Sequence, residues 1–483
     1  MRELSLGRVA LVASLLLSFG VGCADSTEND DEMMVSPLAS SVAPAAANPP
    51  GGGGGTTDPC IYVPGLPGSG PGPGDADPYF GCLGTASYGA ANLDYQIRGL
   101  AIQSDDKIIA VGSVFSQMSN NNDVWVARFT AAGKLDTTFG NGGFYTKNFT
   151  APFGGGESAE AAVVQPDGHI VIAGGFQNEN AIDKAGFLIR LDANGVPDPG
   201  FGTGGSVLLT GKTTWVRAIA LQPNDQLAIA GENCPGNAAT CVATMGRFDG
   251  ITGAPDLVFA PGTGGIASTT FGASPAAHAN ALAVTNLDDV VIAGDTHPNA
   301  SGTDIGVMKF NGNIVDASFG TNGMKTYDSL GFETAYGIAM GPGGGWVVAE
   351  GSPFSSSFVV RRLGYNGAQS TTYGTNGRAF AWFAGAGAAS HAIMYAPNGL
   401  TIVAGVANTA SGKSRMAVAR FTSTGALDAT FSGDGQATFA AGADTAWANA
   451  IARQSNGKLI VAGWSRQAAA ASQKRAALVR VLY

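Results

Sequence analysis

Charge is scarce in this chain, where Asp, Glu, Lys and Arg together make up 13% of 483 residues. What there is leans acidic, with 36 acids against 26 bases. A surface of that sign repels phosphate backbones, so nucleic acid is excluded as a partner. Histidine is scarcer still, at four residues, and leaves little material for acid–base catalysis. His169, His278, His297 and His391 fall in different copies of the repeat described below, and no Cys-x-x-Cys accompanies them. No metal and no cofactor is therefore expected. No Ser occupies a nucleophile elbow, and Gly202 to Gly205 leads into a strand rather than a phosphate-binding helix. The recurring Asp-x-x-Phe-Gly turns offer one carboxylate each, too few oxygens for calcium. Without a catalytic constellation, the chain is expected not to be an enzyme.

Cysteine is limited to five residues. Apart from Cys23, the four that remain allow three pairings. Local proximity favours Cys60 with Cys82 and Cys234 with Cys241, as disulfides of an oxidising compartment. The apolar run from Val9 to Val21 is too short to cross a bilayer; it follows Arg2 and Arg8 and ends at Gly22-Cys23. That layout predicts a secretory signal over residues 1–22. The small residue before Cys23 resembles a bacterial lipobox, which implies a lipid on the Cys23 thiol. From 23 to 76 the composition turns to Ser, Ala, Pro and Gly. Too little apolar surface is available there to offset chain entropy, so this stretch reads as a disordered tether with a reach of roughly 40 Å.

Regularity takes over beyond it. A small-residue strand, a tight turn and an apolar strand ending near Gly recur with markers at Gly112, Gly174, Gly231, Gly294, Gly351, Gly405 and Gly463, 54 to 63 residues apart. Four short strands with turns fill such a period, and a helical hairpin does not. The first turns carry residues that tolerate positive φ, such as Asp167-Gly168 and Asn456-Gly457. A third strand ends in a base and an apolar residue, followed by Gly-x-x-Asp-x-x-Phe-Gly. The aromatic of that last element occurs six times, from Phe139 to Phe431, and the seventh copy stops short at Tyr483. Asp77-Pro78-Tyr79-Phe80-Gly81 supplies the missing copy ahead of the first repeat. The predicted fold is all-β: a seven-bladed β-propeller of four-stranded blades over 77–483, closed by an N-terminal strand completing the last blade.

The repeated base invites an anion-binding reading, but periodicity places Arg128 on one face with Val124 and Val126, and both faces of a blade are covered by neighbours. A charge there must be paired. The Asp eight residues on predicts structural ion pairs Arg128–Asp136, Arg190–Asp198 and Arg420–Asp428.

The combination of DGxIxVAG, VARF and GxLDxxFGxxG resembles the bacterial delta-60 repeat proteins. The resemblance implies a propeller and an extracytoplasmic life, and it carries over no catalytic residue. The fifth copy departs from the pattern, with Gly345-Trp346 in its second strand and Ser370 in place of the Asp.

Strand direction puts the first-to-second and third-to-fourth turns on one face, where the copies are uniform. The second-to-third loops and the blade connections share the other face, where the copies differ. Aromatics on or beside that variable face, Phe115, Phe153, Phe176, Trp215, Phe354, Trp382 and Trp464, are the candidates for recognition. The expected role is that of a lipid-anchored envelope module binding a protein or glycan; a carbohydrate- or peptide-active hydrolase with a site at the channel mouth is the alternative. Oligomeric state is not legible.

Overall fold

The computed structural model describes residues 71–483 apart from 119, 150–154, 179–183, 235–239, 273, 275, 286, 300–301, 329–331, 353–354, 386, 442–443 and 467–472. The expectations for Cys23, Cys60, Phe153, Phe354 and the tether up to residue 70 lie outside the described residues.

The described residues form seven antiparallel four-stranded sheets; six take their strands in chain order, and the seventh takes its outer strand from the N-terminal end of the described chain. The first strands are Leu93–Ile102, Gly155–Val164, Trp215–Leu221, Ala277–Val284, Thr334–Met340, Ala388–Tyr395 and Thr445–Arg453. Each of these lies against the first strand of the next sheet, and the last lies against Leu93–Ile102. They form the inner wall of a closed ring. The fourth sheet adds a two-residue strand, Ile314–Val315, and one 3-10 turn, Pro342–Gly344, precedes the second strand of the fifth.

Burial on both faces explains the unbroken apolar second strands. Ile109 and Val111 pack with Ile170 and Ile172 of blade 2, whereas Ile108 and Ala110 pack with Ile460 and Ala462 of blade 7. A strand sandwiched in this way loses the polar alternation of a half-exposed sheet.

The ring closes as expected. Thr85–Tyr88 pairs antiparallel with the last strand, Arg475–Val481, in the register Thr85↔Val479 to Tyr88↔Ala476. Just before it, Asp77 Oδ2 lies 2.8 Å from Arg480 Nε, and the Arg480 guanidinium stands 4.9 Å from the Phe80 ring. Arg128 makes the same arrangement within blade 1, 2.8 Å from Asp136 and 5.0 Å from the Phe139 ring. A motif split between the two ends of the folded chain is thus reassembled.

The repeated base also reaches the next blade. Arg128 Nη1 donates to the Ala193 carbonyl at 2.6 Å, and Arg480 Nη1 donates to that of Ala131 at 2.7 Å. Arg190 pairs with Asp198, donates to Gln165 at 2.7 Å, and lies 2.9 Å from Asp167; Arg420 lies 2.9 Å from Asp428. The aromatic follows the same rule. A Cβ on Gly195 would sit 2.8 Å from the Phe139 ring and at φ +86°, so that turn glycine serves both the backbone and the preceding blade's wedge. The fifth copy is irregular here: Arg362 donates to the Ser423 carbonyl, while Arg361 takes the buried place and pairs with Glu350.

Candidate functional site

Every first strand carries one residue more than its partner strand requires. The register slips by one in all seven blades and leaves Arg98, Glu160, Arg217, Asn280, Tyr336, His391 and Asn449 as bulges. A bulge re-aims one side chain and turns the local peptide. The carbonyl two residues before it then crowds the facing strand: a Cβ on Gly174 would lie 2.0 Å from the Ser158 oxygen, and one on Gly112 1.9 Å from that of Gln96. The marker glycine of the sequence is therefore the residue that makes room for the bulge. In the fifth blade the register puts Glu350, not Gly351, at that position, with its carboxylate between Arg361 and Arg378.

Because first strands form the inner wall, the seven bulged side chains line the channel. They are partly or fully exposed, and each follows a buried residue, Ile97, Ala159, Val216, Ala279, Ala335, Ser390 or Ala448. They also touch around the ring. Arg98 Nε lies 3.6 Å from Glu160 Oε1, and the Tyr336 and His391 rings meet edge to face at 5.8 Å. Asn449 Nδ2 donates to the Ile97 carbonyl at 2.7 Å, which joins the last blade to the first.

Two residues before the bulge, nearer the variable face, cross-strand pairs add a second tier: Trp215↔Glu232, His278↔Asp295 and Trp447↔Trp464. Together the tiers divide the mouth into two arcs. Blades 5 to 7 present aromatic rings in series, with Tyr336 against His391, His391 stacked on Trp447 at 5.9 Å, and Trp447 on Trp464 at 5.6 Å. Burial pushes the His391 imidazole below its ordinary pKa, so it stands neutral and donates from Nδ1 to the Ala448 carbonyl at 2.8 Å.

Blades 2 to 4 present charge. Arg217 Nη2 lies 2.8 Å from Glu232 Oε1, and Trp215 Nε1 donates to Glu160 Oε1 at 3.2 Å. A concavity of about 470 Å³ opens here, lined by Arg217, Glu232, His278, Asn280, Asp295 and Tyr336 among others. On its wall His278 Nδ1 lies 2.9 Å from Asp295 Oδ2, and His297 Nδ1 lies 3.7 Å from the same oxygen. Burial alone would lower the His278 pKa, but the hydrogen bond and charge of Asp295 outweigh it and raise it. The expectation that the four histidines fall in different repeats is corrected here. His278 and His297 belong to the first and second strands of one sheet, because the turn between them is short and the strands pair.

The candidates read from the sequence are dispersed. Trp464 and Trp215 stand at the mouth. Phe176 is half-buried and stacks on Phe149 at 5.4 Å, and Phe115 is half-buried opposite Asp94. Trp382 ends an outer strand, exposed and stacked on Phe380. Cys234 and Cys241 form a disulfide with Cα atoms 4.2 Å apart at the rim of the concavity, and Cys82 is disulfide-bonded. Sequence reasoning passed over Arg217, Tyr336, His391 and Trp447. The signal of the bulged residues was a position: in six copies, Arg217 and His391 among them, they stand 14 residues before the marker glycine, and their type changes in nearly every copy while both neighbours remain Ala, Gly, Ser, Ile or Val. Tyr336 stands 15 before Gly351, and Trp447 lies two residues ahead of the bulge of its copy.

The uniform face is not featureless. Its turns expose Val196, Ile251, Leu257, Leu287 and Ile314.

Compared with known proteins, the chain matches the model of a family described as a domain of unknown function (DUF5122) beta-propeller, over residues 103–139, 165–201, 396–431 and 454–482. No curated protein matches it. Among solved structures it is similar to puromycin hydrolase, at 14% identity and a TM-score of 0.45, over 78% of this chain and 52% of that one. It is similar to a protein of unknown function from Dyadobacter fermentans, at 9% identity and a TM-score of 0.45, over 83% and 98%. It is also similar to the α-L-arabinofuranosidase of Fusarium graminearum, at 9% identity and a TM-score of 0.43, over 83% and 98%. The chain spans about half the length of puromycin hydrolase. The expectation that the chain is not an enzyme is corrected: the solved propellers to which it is similar include hydrolases.

Proposed function

We propose that the variable-face mouth of the channel binds a sugar, the end of an envelope glycan. The observation that carries this reading is the meeting of two arcs on one wall: the ring series Tyr336, His391, Trp447 and Trp464, and the Arg217, Glu232, Asn280 and Asp295 group beside it. Pyranose rings offer apolar faces that pack on aromatics and hydroxyls that both donate and accept, and this wall supplies a partner for each. Strands hold every one of these side chains, so little ordering is left to be done on binding. We propose in addition that the chain works from the bacterial envelope, tethered through Cys23; that part is supported by the sequence alone.

A glycan array probed with the full chain tests the reading. A hit is expected, and Trp447→Ala should weaken it about tenfold, the loss of one stacking platform. Trp382→Ala, on the outer edge, should leave it unchanged. Binding insensitive to Trp447→Ala, or abolished by Trp382→Ala, would overturn the proposal. Release of reducing sugar in the same mixtures reports whether binding leads to turnover.

A further inference from the structure

We infer that His278, Asp295 and His297 form a binding site for a divalent transition-metal ion of the zinc class at the edge of the same concavity. His278 and Asp295 are direct cross-strand partners, and His297 follows Asp295 by two residues, so all three side chains leave one face of one sheet. Each of the three residues offers one ligand atom, and the three atoms all lie within 4.8 Å of one another. A tetrahedral zinc with bonds near 2.1 Å separates its ligands by about 3.4 Å, and the distances of 2.9 and 3.7 Å from Asp295 Oδ2 bracket that value.

Two further observations point to a ligand. His297 Nδ1 is a buried polar atom with no hydrogen-bond partner, aimed at an oxygen it does not reach. A buried nitrogen in that condition costs stability unless something satisfies it. Asn280 Nδ2 meanwhile donates to Asp295 Oδ1 at 2.9 Å, which fixes the carboxylate and leaves Oδ2 for the two imidazoles. Carboxylate orientation by an outer partner is the usual support of a metal ligand. Two imidazoles and one carboxylate suit zinc and its neighbours in the first transition row rather than calcium or magnesium, which prefer all-oxygen shells. His278 and Asp295 line the concavity, so a fourth position would face the space assigned above to the sugar. Only that role rests on the sugar-binding reading; the ligand set does not.

The test is metal content and cobalt(II) spectroscopy on the full chain, dialysed against each ion. One bound ion per chain is expected, with a ligand-field spectrum that is lost in His297→Gln, a substitution at a half-exposed position. Asp295→Asn keeps shape and should weaken binding at least tenfold. Cys234→Ser/Cys241→Ser should retain the ion, since disulfide sulfurs are poor ligands. Circular dichroism and melting without metal establish that each variant is folded. No uptake by the wild type, uptake unchanged in His297→Gln, or uptake lost in the cysteine variant would overturn the site. Arg217→Met separates the two proposals: it should impair sugar binding and leave the metal in place.

Discussion

The Arg, the Asp eight residues later and the aromatic three beyond that form one device, and each part acts on a different neighbour. Arg190 is nearly buried between Asp198, Asp167 and Gln165, so Arg190→Ala leaves polar groups without their partner. A loss of about 3 kcal/mol is expected in urea unfolding; unchanged stability would show that the base is not structural. The carboxylates make a pH prediction. The Gly200 amide, helped by Arg190 against the effect of burial, holds Asp198 below its ordinary value of 3.8, and Lys309 does the same for Asp316. A group depressed in the folded state stabilises above its unfolded pKa, and that contribution is lost as pH falls through the folded one. Unfolding followed against pH should therefore show stability falling below pH 3.8, and Asp198→Asn should flatten part of that fall. This pairing was legible from spacing because it is local and repeated. The approach of His278 to His297 was not, because cross-strand register decides it and a single copy carries it.

At the scale of the strand, one glycine and one extra residue act together. Gly174→Ala would put a methyl 2.0 Å from the Ser158 carbonyl and 2.6 Å from the Phe187 ring, where no flexible end can yield. A cost of about 3 kcal/mol or more is expected, with loss of the bulge that presents Glu160. Gly204→Ala meets no atom within 4 Å and has only its φ of +59° against it, so about 1 kcal/mol is expected. Equal melting shifts for the two would refute the bulge account. The sequence showed the glycine plainly and its purpose not at all. A bulge is a property of two strands in register, and only Glu350, the copy without the glycine, hints that the position answers to a partner.

At the scale of the molecule, closure was readable because an absence at one end matched a surplus at the other. Deleting residues 71–88 removes the strand that covers Ala476–Val479 and leaves an open sheet edge. A lower melting point and self-association are expected by calorimetry and light scattering; an unchanged monomer would mean that the ring does not depend on its seam. Face assignment from loop variability was less reliable. The residues that differ most usefully from copy to copy stand on the inner wall, below the loops, while the uniform face carries apolar side chains of its own.

The claim on which the functional account stands is that recognition happens where the aromatic and charged arcs meet. Hydrogen–deuterium exchange of the full chain, with and without the strongest glycan from the array, tests it most directly. Slowed exchange is expected in 334–337, 389–392 and 445–449, the strand segments that carry Tyr336, His391 and Trp447. Protection confined instead to the turns around Ile251, Leu257 and Ile314 would place the ligand on the opposite face and contradict the account.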